Sequence, residues 1–377
     1  MINSKKELGQ FFTTNTPYIL QGLESYINGK SVLDPFAGTG ELLNWAKQNG
    51  AISADGLDID YNLIKDNIKF NDSLINIPKS DFIITNPPYI GRHIMSNEQK
   101  SKYPVHEYED FYLLAVQRII DSFPEEGIII IPVNFFSAEN SDKVRVEFLD
   151  RYVISKINYF KQQVFKDTQY NVVAFHFYKK PYSSNKQIFN FNIFPEKKQI
   201  FFGVEKQFNY RIAGKELYKF NLKTNAIRLT DKIIKANPGE NKISTFFNDK
   251  NTVVDYLIND QLKELIDNNI IYLSCVDTCA SESGWIKIDN INNYGKKCLV
   301  GKKSSRNYAY IMFPDIPLKY QEQIIILFNK IVNDLRYRYE SLFLTNYRNK
   351  NRKRISYEFC YKIIHYCYQT LIEKNIG

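Results

Sequence analysis

Ser80-Asp-Phe-Ile-Ile-Thr-Asn-Pro-Pro-Tyr-Ile-Gly91 is an apolar run that stops abruptly. Phe82, Ile83 and Ile84 read as a short buried strand. Asn86-Pro87-Pro88-Tyr89 ends it, because neither proline can donate to a ladder or continue a helix. Pro87 also pushes Asn86 away from helical backbone angles. The sequence therefore predicts a stiff, extended tetrapeptide at the carboxyl end of a strand, where open α/β sheets hold their ligands. It offers one side-chain amide, carbonyls with no competing N–H, and one aromatic face. That set suits a grip on an exocyclic amino group of a flat ring. A plain proline-bounded strand exit would carry the same residues, so the surroundings must decide.

Outward from this stretch, strand-like and helix-like patterns alternate through residues 1–182. Val32-Leu33 ends a short strand, followed by a glycine turn and an amphipathic helix from Glu41 to about Asn49. Ala54–Ile59 reads as a second strand. Tyr61–Phe70 reads as a helix with Leu63, Ile64 and Ile68 on one side. Phe111–Phe123 is helical, and Gly127–Val133 is nearly all apolar, as a strand covered on both faces should be. Val144, Phe148, Leu149 and Tyr152 mark a further helix, and Val172–Tyr178 closes the series as a β-rich run. This alternation predicts a mostly parallel, doubly wound, Rossmann-like sheet.

The polar cluster Pro181–Lys186 reads as a domain boundary. From residue 187 to 377 the pattern turns to shorter, aromatic-rich pieces, expected to form a mixed α+β domain. Two helices stand out there, one carrying Ile324, Phe328, Ile331 and Leu335, the other Tyr357, Tyr361, Ile364, Tyr368 and Leu371. The total of 377 residues fits two domains, at roughly 100–200 residues each. A hydrophobic share of 44% and a charged share of 24% are those of a globular protein. No apolar run reaches the ~18 residues of a membrane span, and Met1–Phe12 has no apolar leader core, which points to the cytoplasm. Cys275 and Cys279 could begin a zinc site, but no second pair follows at ligand spacing, so no metal is expected.

The chemistry converges upstream of the tetrapeptide. Asp34-Pro35-Phe36-Ala37-Gly38-Thr39-Gly40 follows a strand and opens a helix, and its glycines allow a tight turn and close backbone approach to a ligand. The Gly-Lys-Ser/Thr ending of a phosphate loop is absent. Asp58 ends the next strand at a spacing that fits a carboxylate holding ribose hydroxyls, with Asp60 as the nearby competitor. Asp72 could accept from an adenine amino group, or could be a solvated loop acid or helix cap.

In order, Gly9-Gln10-Phe11-Phe12-Thr13, the Asp34–Gly40 turn, Leu57-Asp58-Ile59-Asp60, Asn71-Asp72, Asn86–Tyr89, Glu109-Asp110-Phe111 and Pro132-Val133-Asn134 resemble the DNA amino-methyltransferases that modify adenine N6. The order of parts is similar to their gamma subgroup, as found in type II restriction-modification systems. Val164-Phe165-Lys166-Asp167 ahead of Asn171–Tyr178 adds to the likeness, which covers about residues 5–180. The resemblance implies S-adenosylmethionine as cofactor. Thr13 and the turn (Asp34, Pro35, Ala37, Gly38, Gly40) would hold its methionine portion, Asp58 its ribose and Asp72 its adenine amino group. Phe111 would pack on its ring. Asn86, Pro87, Pro88 and Tyr89 would be the catalytic tetrapeptide, with Tyr89 and Phe165 stacking on a flipped base. The resemblance further implies double-stranded DNA as partner, a monomeric enzyme, and a separate cognate restriction endonuclease as its context.

The long polar loop Ile90–Glu109 carries Arg92, His93, Lys100 and Lys102, and reads as a lid, a DNA contact or a plain surface connection. The second half is expected to read DNA. The formal net charge of +9 is compatible with a polyanionic partner. Arg336, Arg338, Arg348, Lys350, Arg352, Lys353 and Arg354 lie around a turn between the two terminal helices, interleaved with Tyr337, Tyr339, Asn346 and Tyr347. Such residues can neutralise phosphates and read guanine or adenine edges. Lys302–Arg306 is a second, weaker candidate.

Overall fold

Five parallel strands lie side by side in the first half of the chain, each short and each aimed at the same edge. The computed structural model describes residues 13, 15–165, 170–247, 252–277, 284–294, 298–299, 308–347 and 352–376. The chain divides into one unit that runs to Lys215 and another built from Glu216–Tyr347 and Arg352 onward.

In the first unit the strands are β1 (Ser31–Asp34), β2 (Ser53–Asp58), β3 (Ile68–Phe70), β4 (Phe82–Thr85), β5 (Glu126–Pro132), β6 (Tyr152–Phe160), β7 (Val172–Lys179), β8 (Lys186–Phe194) and β9 (Lys198–Glu205). They form one sheet in the order β3-β2-β1-β4-β5-β7-β6-β8-β9. From β3 to β5 every pairing is parallel. β7 runs antiparallel to both of its neighbours. Ile128 to Ile131 of β5 are fully buried, as a strand covered on both faces requires. The doubly wound α/β architecture read from the sequence is the observed one.

Three differences from the sequence reading have local causes. Tyr61–Phe70 is not a helix: a single 3-10 turn (Tyr61–Leu63) gives way to edge strand β3. Asp60 takes the backbone N–H of Asn62 on its side chain at 3.0 Å, and Lys65 turns back on Ile68. Asn62, Asp66 and Asn67 supply the short polar side chains that compete with helix, while Ile68 is drawn into the core beside Gly56 of β2. Second, β6 is an extra strand between the last two predicted elements, broken by an irregularity between Ile154 and Lys156. Third, the sheet does not end at the polar cluster near 181–186. β8 pairs with β6 and β9 with β8, so this unit extends to Lys215 instead of 182.

The helices that flank the site are α1 (Thr16–Ile19), α2 (Glu41–Gln48), α3 (Asn97–Lys102), α4 (Phe111–Ser122) and α5 (Asp142–Arg151). α2 buries Leu42, Leu43, Trp45 and Ala46 against β1 and β2. α4 starts where the Asp110 carboxylate accepts from the Tyr112 N–H, a polar N-cap, and stops at Phe123 in the left-handed conformation, ahead of Pro124, which cannot continue the helix.

The second unit is mixed α+β. It contains a four-stranded antiparallel sheet (Ile227–Arg228, Tyr308–Met312, Ile271–Ser274, Lys287–Asn290) and two three-stranded sheets. The two expected helices are Leu318–Tyr339 and Tyr357–Ile376, and they pack on each other. Among the described residues no helix is long and apolar enough to cross a membrane.

Candidate active site

The chain leaves β1 toward β2 on one side and returns later to β4 on the other, which opens a crevice at the carboxyl ends of β1 and β4. The glycine turn after β1 and the tetrapeptide after β4 both empty into it. A cleft of about 790 Å³, part of it open to solvent, is lined there by Thr13, Asp34–Gly38, Asp58, Asp72, Asn86, Pro88 and Phe111, among others. Residues from 13 to 111 in sequence thus meet in one place.

The turn needs its glycines. Gly40 caps α2 at φ +90°, a conformation that L side chains rarely adopt. Gly56 of β2 lies so close that a Cβ there would sit 2.5 Å from the Ala37 side chain. The Gly38 N–H donates to Asp58 Oδ2 at 2.8 Å, and the Asp60 N–H to Asp58 Oδ1 at 2.9 Å. Asp58, not the half-buried competitor Asp60, is therefore the carboxylate that faces the turn. Burial pushes the Asp58 carboxyl above its ordinary range.

Asp34 is more perturbed. Its Oδ1 accepts from the Phe36 N–H at 3.0 Å and from the Thr85 hydroxyl at 2.8 Å. Its buried Oδ2 has no hydrogen-bond partner. Desolvation raises its pKa to about 7, and Asp58 and Glu41 add to the rise. A buried carboxylate oxygen left without a donor is costly and suits a cationic ligand.

In the tetrapeptide, the Asn86 amide donates from Nδ2 to Thr13 Oγ1 at 3.1 Å, while its Oδ1 accepts from the Tyr89 hydroxyl. That hydroxyl also lies 2.9 Å from the Ile130 carbonyl. Tyr89 is only 2% exposed and meets Tyr112 edge-on at 6.4 Å. Burial raises the Tyr89 hydroxyl well above its usual range, so it stays a donor. The expected base-stacking rings are thus both turned inward: neither Tyr89 nor Phe165, also 2% exposed, lines the cleft. Pro87 is buried and Gly40 supports the turn without lining the cleft. Gly9–Phe12 and Lys166-Asp167 lie outside the described residues.

Asp72, Leu74 and Phe111 also line the cleft. Asp72 Oδ1 accepts from the Leu74 N–H at 3.2 Å. Gln99 and Tyr103 also line the cleft, and nothing in the sequence reading singled them out. The one available signal was Ser96-x-x-Gln99, which does form a capping box at the start of α3.

The basic residues of the second unit are distributed otherwise than expected. Arg336 is buried, paired with Asp277 at 2.8 Å, and its guanidinium lies 4.1 Å over the Trp285 ring. Lys353 is buried as well. Arg352 and Arg354 are half-buried, with Arg354 over the Tyr357 ring at 5.1 Å. Arg338 is the more exposed member, and it pairs with Asp334 at 2.6 Å and Glu216 at 3.4 Å. Arg336 and Lys353 are interior groups and do not form a free phosphate-binding face. Arg348, Lys350 and Lys302–Arg306 lie outside the described residues, as does Cys279. Among the described residues no group of three or more His, Cys, Asp or Glu is placed to hold a metal ion.

Residues 24–165 match the profile of the Eco57I restriction-modification methylase family. The matched segment holds nearly all of the residues that line the cleft, and the match agrees with the resemblance read from the sequence. No curated protein matches the chain. Among solved structures it is similar to the type I restriction enzyme EcoKI M protein, with 16% identity over 49% of each chain and a TM-score of 0.37. It is also similar to a type I restriction-modification methyltransferase subunit from Streptococcus thermophilus, with 17% identity over 48% of this chain and 47% of that one and a TM-score of 0.34. The type IIG restriction endonuclease BpuSI aligns with 96% of this chain and 58% of its own at 10% identity and a TM-score of 0.44. The chain spans about half the length of the type I proteins it matches.

Proposed function

We propose that this protein is a site-specific DNA methyltransferase that moves a methyl group from S-adenosylmethionine to N6 of an adenine flipped out of duplex DNA. The observation that carries the reading is the meeting of Asn86 and Pro88 with Asp34, Asp58, Asp72 and Phe111 around one cleft. The residues fit the cofactor. The partnerless buried oxygen of Asp34 suits the positive charge of its methionine end, Asp58 its ribose hydroxyls, and Asp72 with Phe111 its amine-bearing ring. When bound, the cofactor supplies a methyl group already activated on a sulfonium.

The chain's own residues then have three tasks. Asn86 Oδ1 and the Pro87 carbonyl accept hydrogen bonds from the target amine. An aromatic amine is a poor nucleophile while its lone pair is delocalised; two acceptors placed for a pyramidal nitrogen favour the geometry in which that pair is free, which stabilises the transition state over the ground state. Tyr89 leaves Asn86, freeing that acceptor, and stacks on the base. Phe165, buried in this structure, would have to turn outward to take the other face. Base–aromatic stacking of about 1–3 kcal/mol offsets much of the unstacking cost of a flipped base. Fixing nitrogen and methyl in line supplies the rest by orientation.

Duplex DNA is the partner on this reading, and a cognate restriction endonuclease is a separate protein. The test is transfer of labelled methyl from S-adenosylmethionine to duplex DNA, structured RNA and protein in parallel. Label in DNA supports the reading. Label only in RNA moves the target to RNA adenine, and no label with intact DNA binding makes the chain a specificity protein that retains the fold.

A further inference from the structure

The excursion between Gly91 and Asp110 is closed at its base. The Arg92 N–H donates to the Glu109 carbonyl at 2.7 Å and the Phe111 N–H to the Ile90 carbonyl at 3.0 Å, joining the two ends in a Gly91–Asp110 bridge. Met95, Tyr103, Val105 and Tyr108 of this excursion are buried, and Tyr108 lies beneath Lys143 of α5 at 5.6 Å. With its ends joined and these side chains removed from solvent, the excursion is an ordered part of the catalytic unit.

Its inner wall meets the cleft at Asp72. The Tyr103 hydroxyl donates to Asp72 Oδ2 at 3.0 Å, and Lys102 Nζ pairs with the same oxygen at 2.6 Å. The Tyr103 ring stands edge-on to Phe111, with centroids 5.3 Å apart at 79°. Two aromatic walls at right angles, with a carboxylate at their foot, form a corner shaped for a flat ring that carries an amino group. Burial and Asp72 push the Tyr103 hydroxyl well up, so it remains a donor. With Oδ2 held from the loop, Oδ1 receives the Leu74 N–H and keeps a second lone pair for the ligand.

We infer that this excursion is a cofactor lid, in which Tyr103 forms a wall of the adenine subsite while Lys102 and the Tyr103 hydroxyl hold Asp72 in position to receive the adenine amine. The inference rests on the methyltransferase reading above. It assigns the loop to the cofactor and not to DNA, and it makes Tyr103 a binding residue and Lys102 a positioning residue.

The test is calorimetric binding of S-adenosylhomocysteine, an unreactive probe, to the full chain and to Tyr103→Ala, Tyr103→Phe, Lys102→Met and Lys100→Ala. Tyr103→Ala should weaken binding about tenfold, and Tyr103→Phe and Lys102→Met about threefold each. Lys100 is exposed and outside the corner, so Lys100→Ala should bind as the wild type does. Amide hydrogen exchange of residues 97–103 in the wild-type chain should slow on adding the probe, a readout that does not depend on any variant folding. Normal binding by Tyr103→Ala with unchanged exchange would overturn the lid and leave the methyltransferase reading standing. A wild-type chain that does not bind the probe would overturn both.

Discussion

The cleft around Asn86 and the basic segment around Arg336 looked alike as sequence: each is a dense local cluster of residues with obvious chemical use. In the structure they part ways. The cleft gathers Asp34, Asp58, Asp72 and Asn86 at or just past the carboxyl ends of β1, β2, β3 and β4, so a local pattern has a fixed destination. The basic segment has none. Its fate depends on acids and rings far off in the chain, and Asp277 and Trp285 claim Arg336 for the interior. A motif tied to backbone geometry keeps its meaning, whereas a run of charge acquires one only from its partners.

The sharpest way to break this contrast is at Asn86. Asn86→Ala should lower methyl transfer by about 10²–10³-fold, the scale for losing one transition-state hydrogen-bonding group, with cofactor affinity changed little. Single-turnover transfer and equilibrium binding on the same variant separate the two. Comparable in size is Arg336→Ala, which leaves Asp277 buried without its guanidinium. Breaking a buried pair from one side costs about 3–5 kcal/mol, so thermal melting should drop by many degrees. A fully stable variant with weakened DNA binding would restore Arg336 to the phosphate-contact role.

Tyr89 sharpens the comparison from inside the cleft. Tyr89→Ala should cost transfer about 1–3 kcal/mol in lost stacking. Tyr89→Phe, which removes only the hydroxyl that occupies Asn86 Oδ1, should keep the ring and retain most activity. Equal losses in both variants would mean that the hydroxyl, not the ring, is what transfer requires.

The smallest effect concerns pH. Asp34 is raised to about 7 in the folded chain by burial, against about 3.9 when unfolded. Its protonated form favours folding below about pH 4, and that contribution is lost as pH rises toward 7. Asp34→Asn should therefore melt a few degrees above the wild type at pH 8 in the absence of ligand. Cofactor affinity of the wild type should rise between about pH 6 and 8, because a cationic ligand favours the ionised carboxyl, and Asp34→Asn should flatten that rise.

How much of this was legible in advance follows the same division. β1, β4 and β5 could be read because their apolar runs end at or just before a proline, Pro35, Pro87 and Pro132. The helix expected over Tyr61–Phe70 rested on the spacing of Leu63, Ile64 and Ile68, which a turn followed by an edge strand satisfies equally. β6 was hidden by Ser155, Lys156 and Asn158 within it. Asn158 is nonetheless buried, donating to the Ile19 and Gln21 carbonyls, and Lys156 reaches the Gly22 carbonyl. Polar strand residues that serve a distant segment leave no periodic trace. The lid corner was invisible for the same reason: Tyr103 acquires its meaning from Asp72, a contact that depends on the fold.

The most direct test of the central claim is nucleoside analysis of duplex DNA after incubation with S-adenosylmethionine and either the wild-type chain or Asn86→Ala. The account predicts N6-methyladenine with the wild type and at most traces with the variant. N6-methyladenine in equal amounts from both, or none from a wild-type chain that binds both cofactor and DNA, would contradict it.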